Sequence, residues 1–308
     1  DVNLQGKGEY KGTALDYLLS RSPTTTPYYD EIYQALLAKG AEITEKSLEI
    51  CLENESRFLY ARPLLERLEN EGGEPKLSGA LRALILQQPE QEVLKWLGQE
   101  SYNNKEKLEL LFFAAANSSP RVVEALKQKG ADMNQHACVY LSLLDIASIK
   151  NDPEMIRYLL DEGQELEEWN DAGYEIEDES DPAERHIIEF QRTSEIAAYT
   201  PLSFAVVYGK EENAETLLEA GAKFPENLWC SAALYGGKKA VDFLLEKGYE
   251  PKEYFVFESY LFASDEMVRH MLKRGIDYRV SDDYGTMLLD SLKETENEER
   301  YRLIVENK

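Results

Sequence analysis

The chain has 308 residues, 43% hydrophobic and 30% charged, which is ample for a folded core and too apolar for a disordered polymer. Its 34 basic residues stand against 59 acidic ones, a formal net charge of −25. A surface this negative repels phosphate backbones and anionic lipid heads, so neither nucleic acid nor a membrane is the expected partner; the charge fits a protein with a basic surface or simply keeps the chain soluble.

In chain order, GTALDYLLS (12–20) reads as the start of a short helix behind the glycine-rich segment NLQGKGEYK. A second helix closes on LLAKGAE (36–42). Residues 44–103 keep a helical rhythm, with Gly72 and Gly98 (after VLKWL) as its stops. Phe112, Phe113, Ala114 and Ala115 form an apolar helix face that needs neighbours on both sides. LKQKGAD (126–132) closes the next helix, and SLLDIASIKNDPEMIRYLLDEG (142–163) reads as a complete pair of helices. An acidic insertion follows, expected as a loop over about 171–199. Within 161–184 it holds 12 acidic residues and no Lys or Arg. TPLSFAVVYGKEENAETLLEAGAKF (200–224) is the next pair, and LLEKGYE (244–250) and MLKRGID (271–277) close two more. GTMLLDSL (285–292) starts a last unit behind the short segment VSDDY. ENEERYRLIVENK, at about 296–308, is expected to be a terminal capping helix with Tyr301, Leu303, Ile304 and Val305 as its apolar stripe.

Each closing phrase is an apolar pair, two polar residues, then Gly. The glycine is expected just past the helix, in the left-handed conformation that other residues adopt only at a cost. Gly130 and Gly163 lie 33 residues apart, and Gly163 and Gly221 lie 58 apart, one such interval with an insertion of 25. Gly221, Gly248 and Gly275 follow at intervals of 27. Leu160 and Leu218 are expected among the interior residues of these pairs.

A period near 33 built from two short helices and a turn resembles the ankyrin-repeat family. Thr200, Pro201, Leu202, Ser203, Phe204 and Ala205 are similar to the family's T-P-L-H-x-A start, and ENAETLLEAGAKF to its ending. The family's His is replaced by Asp16, Asp145, Ser203 and Cys230. Asp1-Val2-Asn3 resembles the D-V-N that follows a repeat's final Gly-Ala, so an upstream extension or a removed leader is expected. The resemblance implies an all-α fold, a single ankyrin-repeat solenoid over 1–308, with about nine degenerate helix-turn-helix repeats and short or missing fingers.

No residue set points to chemistry. His136, His186 and His270 form no metal-ligand spacing, and His136 with Cys138 lacks a second pair. No nucleophile elbow or phosphate-binding loop occurs, so no enzyme, cofactor or metal is expected. Cys51, Cys138 and Cys230 are too few and too scattered for a disulfide framework, which favours the cytoplasm, with a periplasmic or secreted location as the alternative. The longest charge-free stretch, Ile196 to Gly209, has 14 residues, short of the about 20 that span a bilayer.

What remains is surface. In the ankyrin family, partners meet the fingers and the exposed ends of the first helices. By that resemblance the partner-binding residues are Ile149 and Lys150, Val207 and Tyr208, and Leu234 and Tyr235. The insertion adds Trp169, Tyr174, Glu177, Asp178 and Glu179, an acidic strip with two rings that suits a basic patch. The expected function is a monomeric bacterial binding module that holds and inhibits another protein, as immunity or self-protection proteins do. The alternative is a scaffold or host-directed effector that links proteins without inhibiting them.

Overall fold

The computed structural model describes residues 2–6, 12–21, 29–52, 57–134, 141–166, 200–282, 284–295 and 297–307. Among these residues the chain is all-helical, and the one extended pairing is an isolated antiparallel bridge between Ser281 and Met287. Contacts divide the chain into two compact units, Asp1–Glu165 and Leu166–Lys308.

The first unit contains α1 (Ala14–Leu19), α2 (Tyr29–Ala38), α3 (Glu45–Leu52), α4 (Arg57–Asn70), α5 (Gly79–Ile85), α6 (Glu90–Gln99), α7 (Asn104–Asn117), α8 (Pro120–Gln128), α9 (Leu143–Lys150) and α10 (Pro153–Asp161). Consecutive helices pair as hairpins, and from α5 onward the hairpins stack in register. The first helices α5, α7 and α9 pack side by side, and so do the second helices α6, α8 and α10. The second unit has α11 (Pro201–Val207), α12 (Glu211–Glu219), α13 (Leu228–Ser231), α14 (Gly237–Glu246), α15 (Glu253–Phe262), α16 (Asp265–Lys273), α17 (Leu288–Glu294) and α18 (Glu298–Glu306). A π-helical turn, Ala232–Gly236, joins α13 to α14. These also pack as successive hairpins, α13 on α15, α15 on α17, α14 on α16 and α16 on α18. On α18, Leu303 and Ile304 are buried while Tyr301 and Val305 are half-buried.

Local chemistry explains why such short helices start and stop where they do. Four of the first helices open on capping boxes, Thr13 with Asp16, Asn103 with Glu106, Ser142 with Asp145 and Thr200 with Ser203. Each satisfies two backbone N–H groups that a helix leaves orphaned at its start. Asp16, Asp145, Ser203 and Cys230, at matching positions of four first helices, are all buried. The second helices close on glycine as expected: Gly40, Gly72, Gly130, Gly163, Gly221, Gly248 and Gly275 all have φ between 76° and 101°. The residue after each donates back to the carbonyl five positions earlier, as Ala131 does to Leu126 and Ala222 to Leu217.

Two details depart from the sequence reading. Gly98 is no stop: it lies inside α6, which ends at Gln99. Leu160 and Leu218 are half-buried, and the preceding Leu159 and Leu217 are the fully buried members of each pair.

Gly221 has φ 101°, yet a Cβ there would meet nothing within 4 Å. Gly221→Val should therefore cost about 1–2 kcal/mol from backbone strain alone, a loss readable as a lower midpoint in urea with an unchanged transition slope.

Candidate protein-binding surface

The surface follows from a repeated position at the C-terminal end of the first arm of each hairpin: the C-cap of α11, the π-helical turn after α13 and the last residue of α15. In the second unit it is Tyr208, Tyr235 and Phe262, spaced 27 residues apart. Their predecessors Val207, Leu234 and Leu261 keep the same spacing and are half-buried. Tyr208 and Tyr235 are also half-buried, whereas Phe262 is 59% exposed. Stacked hairpins bring these six residues onto one edge, at the about 8–10 Å step of packed helices.

Each ring is set by a different local device. Tyr208 caps α11, with its N–H donating to the Phe204 carbonyl at 2.9 Å, and Gly209 turns the chain at φ 65°. In the next hairpin the corresponding Gly236 has φ −87°, and the left-handed turn falls one residue later, on Gly237 at 72°. The extra residue is absorbed by the π-helical turn that carries Leu234 and Tyr235. Packing requires a glycine at 236: a Cβ there would lie 2.5 Å from the Ala240 Cβ and 3.1 Å from the Val207 Cα. Burial pushes the Tyr235 phenol above its ordinary pKa. Phe262 ends α15, and Ser264 opens α16 by accepting the Met267 N–H at 3.2 Å.

The first unit fills the same position with Leu86, Asn117 and Lys150, and Gln87 stands where Gly209 does. Gln87 is the described non-glycine residue with positive φ, 53°. Its side chain is held at both ends, accepting from Arg62 Nη1 at 2.6 Å and donating from Nε2 to Asn117 Oδ1 at 3.0 Å. Arg62 belongs to α4, which packs against α5, α7 and α9 in turn. The helix thus crosses three first helices. Pro63 inside α4 removes one intrahelical hydrogen bond.

Of the residues expected to bind a partner, Ile149 is 1% exposed and belongs to the core of the first unit. Lys150 is half-buried beside it. Val207, Tyr208, Leu234 and Tyr235 share the edge described above. Trp169, Tyr174, Glu177, Asp178 and Glu179 lie outside the described residues, as does the 171–199 insertion. Phe262 and Leu261 were not expected. Their signal was the 27-residue interval itself, obscured because Ala263 stands where Gly209 and Gly236 stand.

Other features are structural. A cleft of about 360 Å³ opens where α3 and α5 leave room beside α7, with Leu48, Leu81 and Leu110 at its base and Glu45, Glu49 and Lys105 among its lining residues. His270 Nε2 and Arg274 Nε both reach Asp242 Oδ1 at 2.8 Å. Cys51 and Cys230 are free thiols in the core, and burial pushes the Cys230 thiol up to about 12. Among the described residues no group of three His, Cys, Asp or Glu is placed to hold a metal ion. None of the described helices is long and apolar enough to cross a membrane. Ion pairs such as Lys247–Glu215 at 2.6 Å and Lys238–Glu266 at 2.5 Å link second helices of adjacent hairpins, and being exposed they add little to stability.

No family model matches the chain, and no curated protein matches it. One solved structure similar to it is a chain from a complex described as a predatory endopeptidase from Bdellovibrio bacteriovorus with an immunity protein. The two are 21% identical with a TM-score of 0.41, and the match covers 68% of this chain and 100% of that one.

Proposed function

We propose that this chain is a degenerate ankyrin-type repeat protein that binds another protein, one with a basic surface, and inhibits it. The observation that carries the reading is the row of Tyr208, Tyr235 and Phe262 on successive hairpins, flanked by Val207, Leu234 and Leu261. Rings of this kind, partly desolvated before contact, are the usual anchors of protein interfaces because they offer large area at small entropic cost. The net charge of −25 supports a basic partner and speeds encounter with it. Nine hairpins among the described residues, seven of their second helices closed by left-handed glycines, support the repeat assignment. The inhibitory half of the reading comes from the resemblance of an acidic, degenerate array to self-protection proteins.

Phe262→Ala is the cleanest variant, because the ring is 59% exposed and its loss should change stability by no more than about 0.5 kcal/mol. With the partner purified from the source cells, affinity should fall at least about tenfold while the melting curve stays in place. An unchanged affinity would remove the row from the interface. Titrating the partner's own activity then separates inhibitor from scaffold: activity falling to zero at one equivalent supports inhibition, and full activity in the saturated complex supports scaffolding.

A further inference from the structure

We infer that the row of Tyr208, Tyr235 and Phe262 receives an amphipathic α-helix of the partner, laid across three hairpins with an apolar stripe inward and Lys or Arg at its flanks. The inference rests on the protein-binding reading above and specifies the element that binds.

Its first support is internal. In the first unit the same hairpin position is Leu86, Asn117 and Lys150, and beside it the chain supplies its own crossing helix. α4 packs on α5, α7 and α9 and anchors Arg62 to Gln87, which in turn holds Asn117. α4 presents Tyr60, Ala61, Leu64, Leu65 and Leu68 as its buried stripe. The second unit repeats the position with the rings of Tyr208, Tyr235 and Phe262. The helices packed on its first helices α11, α13 and α15 are their own hairpin partners and the adjacent hairpins, with no counterpart of α4 among the described residues.

The second support is dimensional. Three rings at the about 10 Å step of packed helices span about 20 Å. A helix rises 1.5 Å per residue, so about 14 residues cover that row, with about two turns from one ring to the next. α4, which crosses three first helices, has 14 residues. A partner helix with apolar residues at i, i+7 and i+14, reinforced at i+3 or i+4, keeps one face on all three rings.

The third support is charge. Aromatic faces attract guanidinium and ammonium groups, and the net charge of −25 favours a cationic helix over an acidic one. Lys238, beside the row, is already matched by Glu266 at 2.5 Å, so it offers no barrier to an incoming cation.

The test uses the full chain and two labelled 18-residue peptides of identical Leu and Lys content, long enough to hold positions i to i+14. One carries its leucines at helical i, i+3, i+4, i+7 spacing, and the other has them scattered around the helix. Fluorescence anisotropy at physiological salt should show the patterned peptide binding at least tenfold more tightly than the scattered one. Phe262→Ala combined with Tyr235→Ala should abolish most of that difference, with helix content by circular dichroism confirming a folded protein. Peptides binding within twofold of each other, neither binding, or a variant as good as wild type would overturn the helix assignment. In that event a tenfold loss of partner affinity in Phe262→Ala would leave the protein-binding reading standing. Loss of neither would remove both.

Discussion

Between pH 5 and pH 8 the stability advantage of Asp145→Asn over the wild type should grow by about 2–3 kcal/mol. Asp145 sits at the third position of α9, 7% exposed, with Oδ2 accepting the Ser142 N–H at 2.8 Å and the Ser142 hydroxyl at 2.7 Å. Its Oδ1 has no hydrogen-bond partner. Burial raises its pKa from 3.8 to about 7, and the two bonds from Ser142 oppose that only in part. A raised carboxyl pKa means that the folded state holds its proton where the unfolded chain has released it. The stabilising contribution is complete below about pH 4 and is lost as pH rises through about 7. Asparagine keeps an acceptor for Ser142 at the same place and carries no charge, so its stability should not track this titration. Urea unfolding of both proteins at several pH values measures the effect; parallel curves would mean that the carboxylate is solvated. Asp16 shows the alternative solution at the same repeat position. Its Oδ2 accepts the Thr13 N–H at 2.9 Å, and its Oδ1 accepts the hydroxyl of Ser47, from the next hairpin, at 2.8 Å.

Trp229→Ala should cost about 3–5 kcal/mol, the range for emptying a large core site. Trp229 is 0% exposed and ranks among the largest fully buried side chains. Its Nε1–H has no acceptor, so the variant also sheds the cost of that buried donor, which holds the loss toward the lower end of the range. The pattern of the loss matters as much as its size. In a row of hairpins each unit is held by its neighbours, so damage at α13 should spread to the flanking hairpins first. Amide exchange should accelerate most in α11–α12, α13–α14 and α15–α16, and less in α17–α18. Uniform acceleration across the second unit would mean one undivided core instead.

Much of the fold is legible in the sequence because its signals are local. A capping residue and its partner three positions on, or a glycine after an apolar pair, act through bonds inside a single turn. Thr200 with Ser203, and Gly221 with Leu217, could therefore be placed without knowing what surrounds them. Gly98 misled because a glycine inside a helix and one after it look alike until the next turn is known. Tyr208 and Tyr235 were found by aligning two similar phrases. Phe262 escaped because its hairpin opens on Lys252 and lacks the glycine that marked the other two. The π-helical turn at Ala232–Gly236 and the crossing of α4 depend on contacts with distant backbone, Val207 in one case and three first helices in the other. Asp145 reads in the sequence only as a replacement for the His of an ankyrin-like start; that it caps α9 and leaves one oxygen without a partner is visible only in the structure.

The glycine closures have a consequence for how such a chain changes over generations. Because each glycine-closed hairpin seals its own end with bonds from within, a 27-residue cassette can be lost or duplicated without unmaking the seals on either side. Removing residues 227–253 would shorten the aromatic edge from three rings to two, and copying them would lengthen it to four. The reach of this surface is thus set in whole steps, by the number of cassettes, independently of the residues that build each one.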